Sequence, residues 1–122
     1  MKALFALALL SMAALAGCSG SSGAGTTPST DSEGRYVIDM TSGNRFSPSN
    51  AAVPVGAIVV WEHKGGAPHD VQAEDGTSFS SGPIGGLTEG EEYAHQFNQT
   101  GTFSYFCHVH EGSGMKATLT VA

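Results

Sequence analysis

Gly101-Thr102-Phe103-Ser104-Tyr105-Phe106-Cys107-His108-Val109-His110-Glu111-Gly112-Ser113-Gly114-Met115-Lys116-Ala117-Thr118-Leu119-Thr120-Val121 holds the reading of this chain. Lys116 to Val121 alternates polar and apolar residues with period two, the pattern of a half-buried strand. Thr102 to Phe106, after Gly101, reads as a second strand, so two strands flank a loop. That loop sets out one thiol, one imidazole and one thioether in the order Cys-x-x-His-x-x-x-x-Met, at Cys107, His110 and Met115. Another imidazole, His69, lies upstream in Ala67-Pro68-His69-Asp70-Val71.

Two imidazoles and a thiolate, with a weak axial thioether, form the trigonal donor set of a blue-copper electron-transfer site. Sulfur ligands suit Cu(I) and imidazoles suit Cu(II), so the set can hold one copper ion in both redox states. Such a site moves electrons and needs no substrate pocket, so the chain is not read as an enzyme. Zinc also takes Cys and His, but a structural zinc site wants four firm ligands, and a thioether is a poor fourth. Copper outcompetes zinc at a given site by intrinsic affinity.

Taken singly, each residue has a plainer reading: His69 as a loop histidine, Cys107 as a small buried hydrophobe, Met115 as a core plug. The order in which they occur favours ligation. His108 flanks Cys107 as a histidine does in multicopper oxidases, but Phe106 stands on the other side and no further His-x-His pair exists. It reads as a surface residue. His95 shares a strand face with Tyr93 and Phe97 and reads as a core-edge histidine. His63 reads as a loop residue near the site mouth.

The 122 residues suffice for one domain. Asp plus Glu outnumber Lys plus Arg by 11 to 5. That excess argues against nucleic acid as a partner, because phosphates demand a basic face. The two cysteines sit in unlike contexts, and no disulfide is expected between them. An exported chain without a disulfide pair leaves Cys107 free in an oxidising compartment, a liability unless a metal occupies it.

Met1-Lys2 followed by the apolar run Ala3 to Ala14 reads as the start of a signal peptide spanning residues 1–17. The run is short for a membrane span. Leu15-Ala16-Gly17-Cys18 resembles the lipobox of prokaryotic lipoproteins, which implies cleavage before Cys18 and lipid on its thiol. No twin arginine is present, so the general secretion route is expected. Residues 18–34, rich in Ser, Gly and Thr, read as the lipidated cysteine and a flexible linker with a reach of roughly 20 Å. The copper domain is then 35–122, a monomer on the extracytoplasmic face, anchored through Cys18 and serving redox partner proteins.

Within that domain, Tyr36 to Met40 is a strand, and Asn44 to Pro54 is polar and proline-punctuated with Phe46 as a core plug. Ala57 to Trp61 is a nearly continuous apolar run that suits a central strand. A Gly-rich loop, 63–68, leads to His69. Val71 to Ala73 forms a short strand before the Asp75-Gly76 turn, and Tyr93, His95 and Phe97 alternate on another. Short strands, Gly/Pro turns and no long amphipathic pattern point to an all-β antiparallel sandwich or barrel.

Gly101 to Val121 resembles the C-terminal half of the small blue copper proteins, the cupredoxins. The Cys-x-x-His-x-x-x-x-Met spacing is that of plastocyanin and pseudoazurin. Val59-Val60-Trp61-Glu62, Gly65-Gly66, His69 and Ala73-Glu74-Asp75-Gly76 are similar to halocyanin, the lipid-anchored archaeal member. The resemblance spans residues 36–122. It implies an all-β antiparallel Greek-key β-sandwich with one type 1 copper, held by His69, Cys107 and His110 equatorially and by Met115 axially. It also implies electron passage through the exposed edge of His110, within a flat apolar patch. The residue after the first histidine is usually Asn, which braces the cysteine loop. Here it is Asp70, which can accept the same backbone N–H but cannot donate. The function implied is a membrane-tethered one-electron carrier. The alternative is a copper storage or delivery protein, but delivery sites are open and Met-rich, and after the leader only Met40 and Met115 remain.

Overall fold

Eight strands form two four-stranded sheets in the computed structural model, which describes residues 25–122. The strands are β1 Tyr36–Met40, β2 Phe46–Ser47, β3 Asn50–Val53, β4 Ile58–His63, β5 Gln72–Ala73, β6 Glu92–Gln96, β7 Gly101–Phe106 and β8 Lys116–Val121. One sheet has the order β2-β1-β4-β6, the other β3-β8-β7-β5. The only helical turn among the described residues is a 3₁₀ turn at Glu111–Ser113. The all-β sandwich expected from the strand pattern is what forms. Most pairings are antiparallel, but β1 runs parallel to β4 and β3 parallel to β8. Both parallel pairs join strands that are not neighbours in sequence, β1 to β4 and β3 to β8, which local alternation cannot reveal.

β4 is central, in keeping with its apolar run: Val59, Val60 and Trp61 are fully buried between β1 and β6. Trp61 is the hub of the core. Its ring lies 5.6 Å from Phe79, 5.4 Å from Tyr93 and 5.5 Å from Tyr105, centroid to centroid. Aromatic contacts in this range add about 0.5–1.5 kcal/mol per pair beyond burial. Phe46 fills the core as expected, edge-on to Tyr105 at 4.8 Å. Tyr93 and His95 stand half-buried at the rim of this cluster, and burial holds the His95 imidazole below its ordinary pKa.

The linker expectation needs correction. By composition residues 18–34 are a spacer outside the fold, yet the chain is bound to the sandwich from Thr26 onward. The Thr26 N–H donates to Asn50 O at 2.8 Å, and the Ala52 N–H donates to Thr26 O at 3.0 Å. The Val37 N–H donates to Ser29 O, and Pro28 is buried. The cause is tertiary. β3 is an edge strand, and its unpaired backbone groups accept a passing segment whose own composition carries no strand signal. At Gly25 a Cβ would stand 2.4 Å from Asn50 O, so only glycine fits the approach. The signal peptide, Cys18 and the first part of the linker lie outside the described residues.

Candidate metal centre

β7 and β8 present the ligand loop, and the segment after β4 presents the first histidine. Phe106 pairs with Lys116, so Cys107 and Met115 face each other where the two strands part. The Cys107 N–H donates to Met115 O at 3.0 Å, and the Met115 N–H donates to His110 O at 3.1 Å. The loop is thereby closed on itself before any metal is considered. Gly114, at φ 85°, supplies the left-handed turn that ends the 3₁₀ segment. Across the chain, Arg45 Nη1 donates to Ser113 O at 2.9 Å.

His69 is held more firmly. Its N–H and C=O both bond to Leu87, at 2.9 Å each, and its ring is fully buried. Nε2 lies 3.1 Å from Thr41 O, so Nε2 carries the proton and Nδ1 is left as an electron-pair donor. Such an N–H to carbonyl contact is what fixes the tautomer of a metal-binding imidazole. Burial lowers the His69 pKa and keeps the ring neutral.

The donor atoms converge. His69 Nδ1 and His110 Nδ1 are 3.2 Å apart, and Cys107 Sγ is 3.9 Å from the first and 3.7 Å from the second. The point equidistant from the three atoms is about 2.1 Å from each, close to a metal–imidazole bond and a little short of a metal–thiolate one. These three residues are also the one His/Cys/Asp/Glu group among the described residues with metal-ligand proximity. Cys107, His69 and Met115 are fully buried, whereas His110 is half-exposed. Burial pushes the Cys107 thiol above its ordinary pKa, so metal entry must displace its proton.

All four expected ligands thus sit on one loop and one facing segment, with Met115 in the buried core beside Cys107. Asp70 is also where the sequence placed it. Its buried carboxylate accepts the His108 backbone N–H on Oδ1 at 2.7 Å. Two histidines differ from the expectation. His63 is not a loop residue but the buried end of β4. Its Nε2 donates to Ala67 O at 2.8 Å, its Nδ1 accepts the Gly65 N–H at 3.1 Å, and its ring lies 4.5 Å from that of His69. It therefore folds the Gly-rich loop and backs the first ligand. His108 is not a free surface residue: its ring also contacts Asp70. Continuation of the β4 alternation by two residues would have placed His63 on the core face. No local signal marks Thr41 O or Arg45.

Residues 35–122 match the family described as copper binding proteins, plastocyanin/azurin family. Plastocyanin from Scenedesmus fuscus is 34% identical over 83 residues, covering 62% of this chain and 85% of that protein. Among solved structures, a novel purple cupredoxin from Nitrosopumilus maritimus superposes with a TM-score of 0.59 at 28% identity, over 70% of this chain and 98% of the other. A mutant of amicyanin, in its reduced form, gives 0.65 at 22% identity over 84% of this chain and 95% of the other, a likeness of fold.

Proposed function

The chain belongs to the plastocyanin/azurin family of copper-binding proteins, and from that premise we propose a membrane-tethered one-electron carrier. The observation that carries the redox part is the convergence of His69 Nδ1, Cys107 Sγ and His110 Nδ1. Copper bound there supplies the Cu(II)/Cu(I) couple, which a His₂Cys set with a weak thioether holds in both states.

The chain's own residues do the rest. His69, Cys107 and Met115 are themselves fully buried, which shields the site from water on its core side. Leu87 and Thr41 fix His69, and the bonds among Cys107, His110 and Met115 fix the loop, so little needs to move between redox states. Half-exposed His110 is the ligand that reaches solvent, and exposed Val109 and Ile84 supply apolar surface to its side of the molecule. Redox partner proteins of matching apolar character would dock there. Storage or delivery finds less support, because both methionines past the leader are fully buried.

For location, the Leu15-Ala16-Gly17-Cys18 sequence supports export and lipid attachment at Cys18. With Thr26 bound to β3 only eight residues past Cys18, an anchor there would keep the domain close to the extracytoplasmic membrane surface.

Adding Cu(II) to the purified domain should turn it intensely blue and give reversible voltammetry, while Cys107→Ser should stay nearly colourless. A serine variant as blue as the parent removes Cys107 from the site. Cys18→Ala should move the protein from the detergent-extracted to the soluble fraction. Native protein that washes off membranes without detergent contradicts the anchor.

A further inference from the structure

His108 is the residue whose surroundings the function leaves unexplained. It follows Cys107 directly, and its side chain is 31% exposed, against 1% for Asp70. Both N–H groups of this one residue meet the same carboxylate: the backbone N–H on Oδ1 at 2.7 Å and ring Nδ1 on Oδ2 at 2.5 Å. An ionised carboxylate only accepts, so Nδ1 carries the proton in this contact. On its other side the ring stands edge-on to Phe106, at 4.7 Å between centroids. A buried carboxylate with one oxygen unpaired is destabilising, because that oxygen has lost its water without gaining a donor. The ring of His108 removes that cost.

We propose that His108 is a positioning residue of the copper site: its ring and backbone clamp Asp70, locking the segment that carries His69 to the segment that carries Cys107. The clamp joins residues 38 apart in sequence, each the immediate neighbour of a ligand. It also explains the acidic residue beside the first histidine. An amide there would satisfy the backbone N–H alone, whereas a carboxylate requires a second donor, and His108 is that donor. Charge-assisted hydrogen bonds of this kind are about twice as strong as neutral ones, so the clamp resists loop motion more than an amide brace does. The donor also offsets negative charge next to the metal, which otherwise favours Cu(II) over Cu(I).

The inference rests on the copper reading above, so the test has one arm that needs no copper. In the metal-free protein, ¹⁵N shifts of the His108 ring should report the Nδ1–H tautomer, and Asp70→Ala should abolish that preference and speed exchange of the His108 amide at least tenfold. In the copper protein, His108→Phe removes the ring donor but keeps its packing on Phe106. Its Cu(II)-to-Cu(I) affinity ratio should rise about tenfold, a potential about 59 mV lower. His108→Asn places an amide N–H where Nδ1–H stands and should keep the parent potential. In an Asp70→Asn background, His108→Phe should shift nothing. If His108→Phe does not fold, His108→Gln replaces it with the same expectation, since its amide mimics Nε2 rather than Nδ1. An Nε2–H tautomer in the metal-free protein overturns the clamp. So does a His108→Asn potential displaced as far as that of His108→Phe, or an equal shift in both backgrounds. Failure to turn blue with copper would instead strike the electron-carrier reading and leave the metal-free arm standing.

Discussion

The two imidazole ligands are chemically the same group, yet the fold treats them oppositely. His69 is fully buried, bonded through its backbone to Leu87, fixed at Nε2 by Thr41 O and backed by the His63 ring. His110 is half-exposed on a loop whose next four residues are all exposed and include two glycines. The restraints on that side are the backbone bonds of the loop and Arg45 at Ser113. The contrast teaches how a small sandwich can combine a rigid copper site with one ligand open to solvent. Rigidity comes from the sheet side, and access comes through one ligand on the loop side.

Removing each imidazole in turn should give the largest difference. His69→Ala leaves a buried cavity and strips Thr41 O of its donor, so the metal-free protein should lose about 2–4 kcal/mol of stability. His110→Ala, at a half-exposed loop position, should cost under about 1 kcal/mol. Added imidazole should restore blue colour to copper-loaded His110→Ala, whose gap opens to solvent, and not to His69→Ala. Denaturant melts of the metal-free proteins and visible spectra with imidazole check both halves. Equal destabilisation, or rescue at both sites, would break the contrast.

That asymmetry is only half legible in the sequence. The ligands are readable because their spacing along one loop is local, and β8 is readable because Lys116 to Val121 alternates without interruption. Buried β4 is readable from its apolar run, though it continues two residues further, to His63. What escapes depends on partners far away in the chain. β2 and β3 are short, with two and four residues, and they count as strands only because β1 and β8 lie beside them. Residues 26–30 look like linker in isolation and are held by the edge of β3 and the start of β1. Asp70 is recognisable as a brace, but its second partner, His108, is set by which side of the loop the ring occupies.

Met115 sharpens the comparison from the axial side. It closes the loop that bears His110, yet it is as buried as His69. Met115→Leu should keep the fold and the blue colour, because leucine fills a similar volume. Loss of a weak thioether donor destabilises Cu(II) more than Cu(I), so the reduction potential should rise, by about 59 mV for each tenfold change in the affinity ratio. Voltammetry of parent and variant decides it. An unchanged or lowered potential would mean that Met115 serves packing alone.

Acid probes the sheet-side imidazole without mutation, and its effect is the most gradual. Burial holds the folded-state pKa of His69 below the ordinary 6.5, so between those values the unfolded chain binds a proton that the folded protein refuses. The stability contributed by neutral His69 is therefore fully present above about pH 6.5 and is lost as pH falls from there to the lowered folded-state value. Metal-free melts from neutral to mildly acid pH measure that loss, and His69→Ala should remove it. A His69→Ala variant that loses stability with acid as steeply as the parent would show that the sheet side does not hold this imidazole in its neutral form.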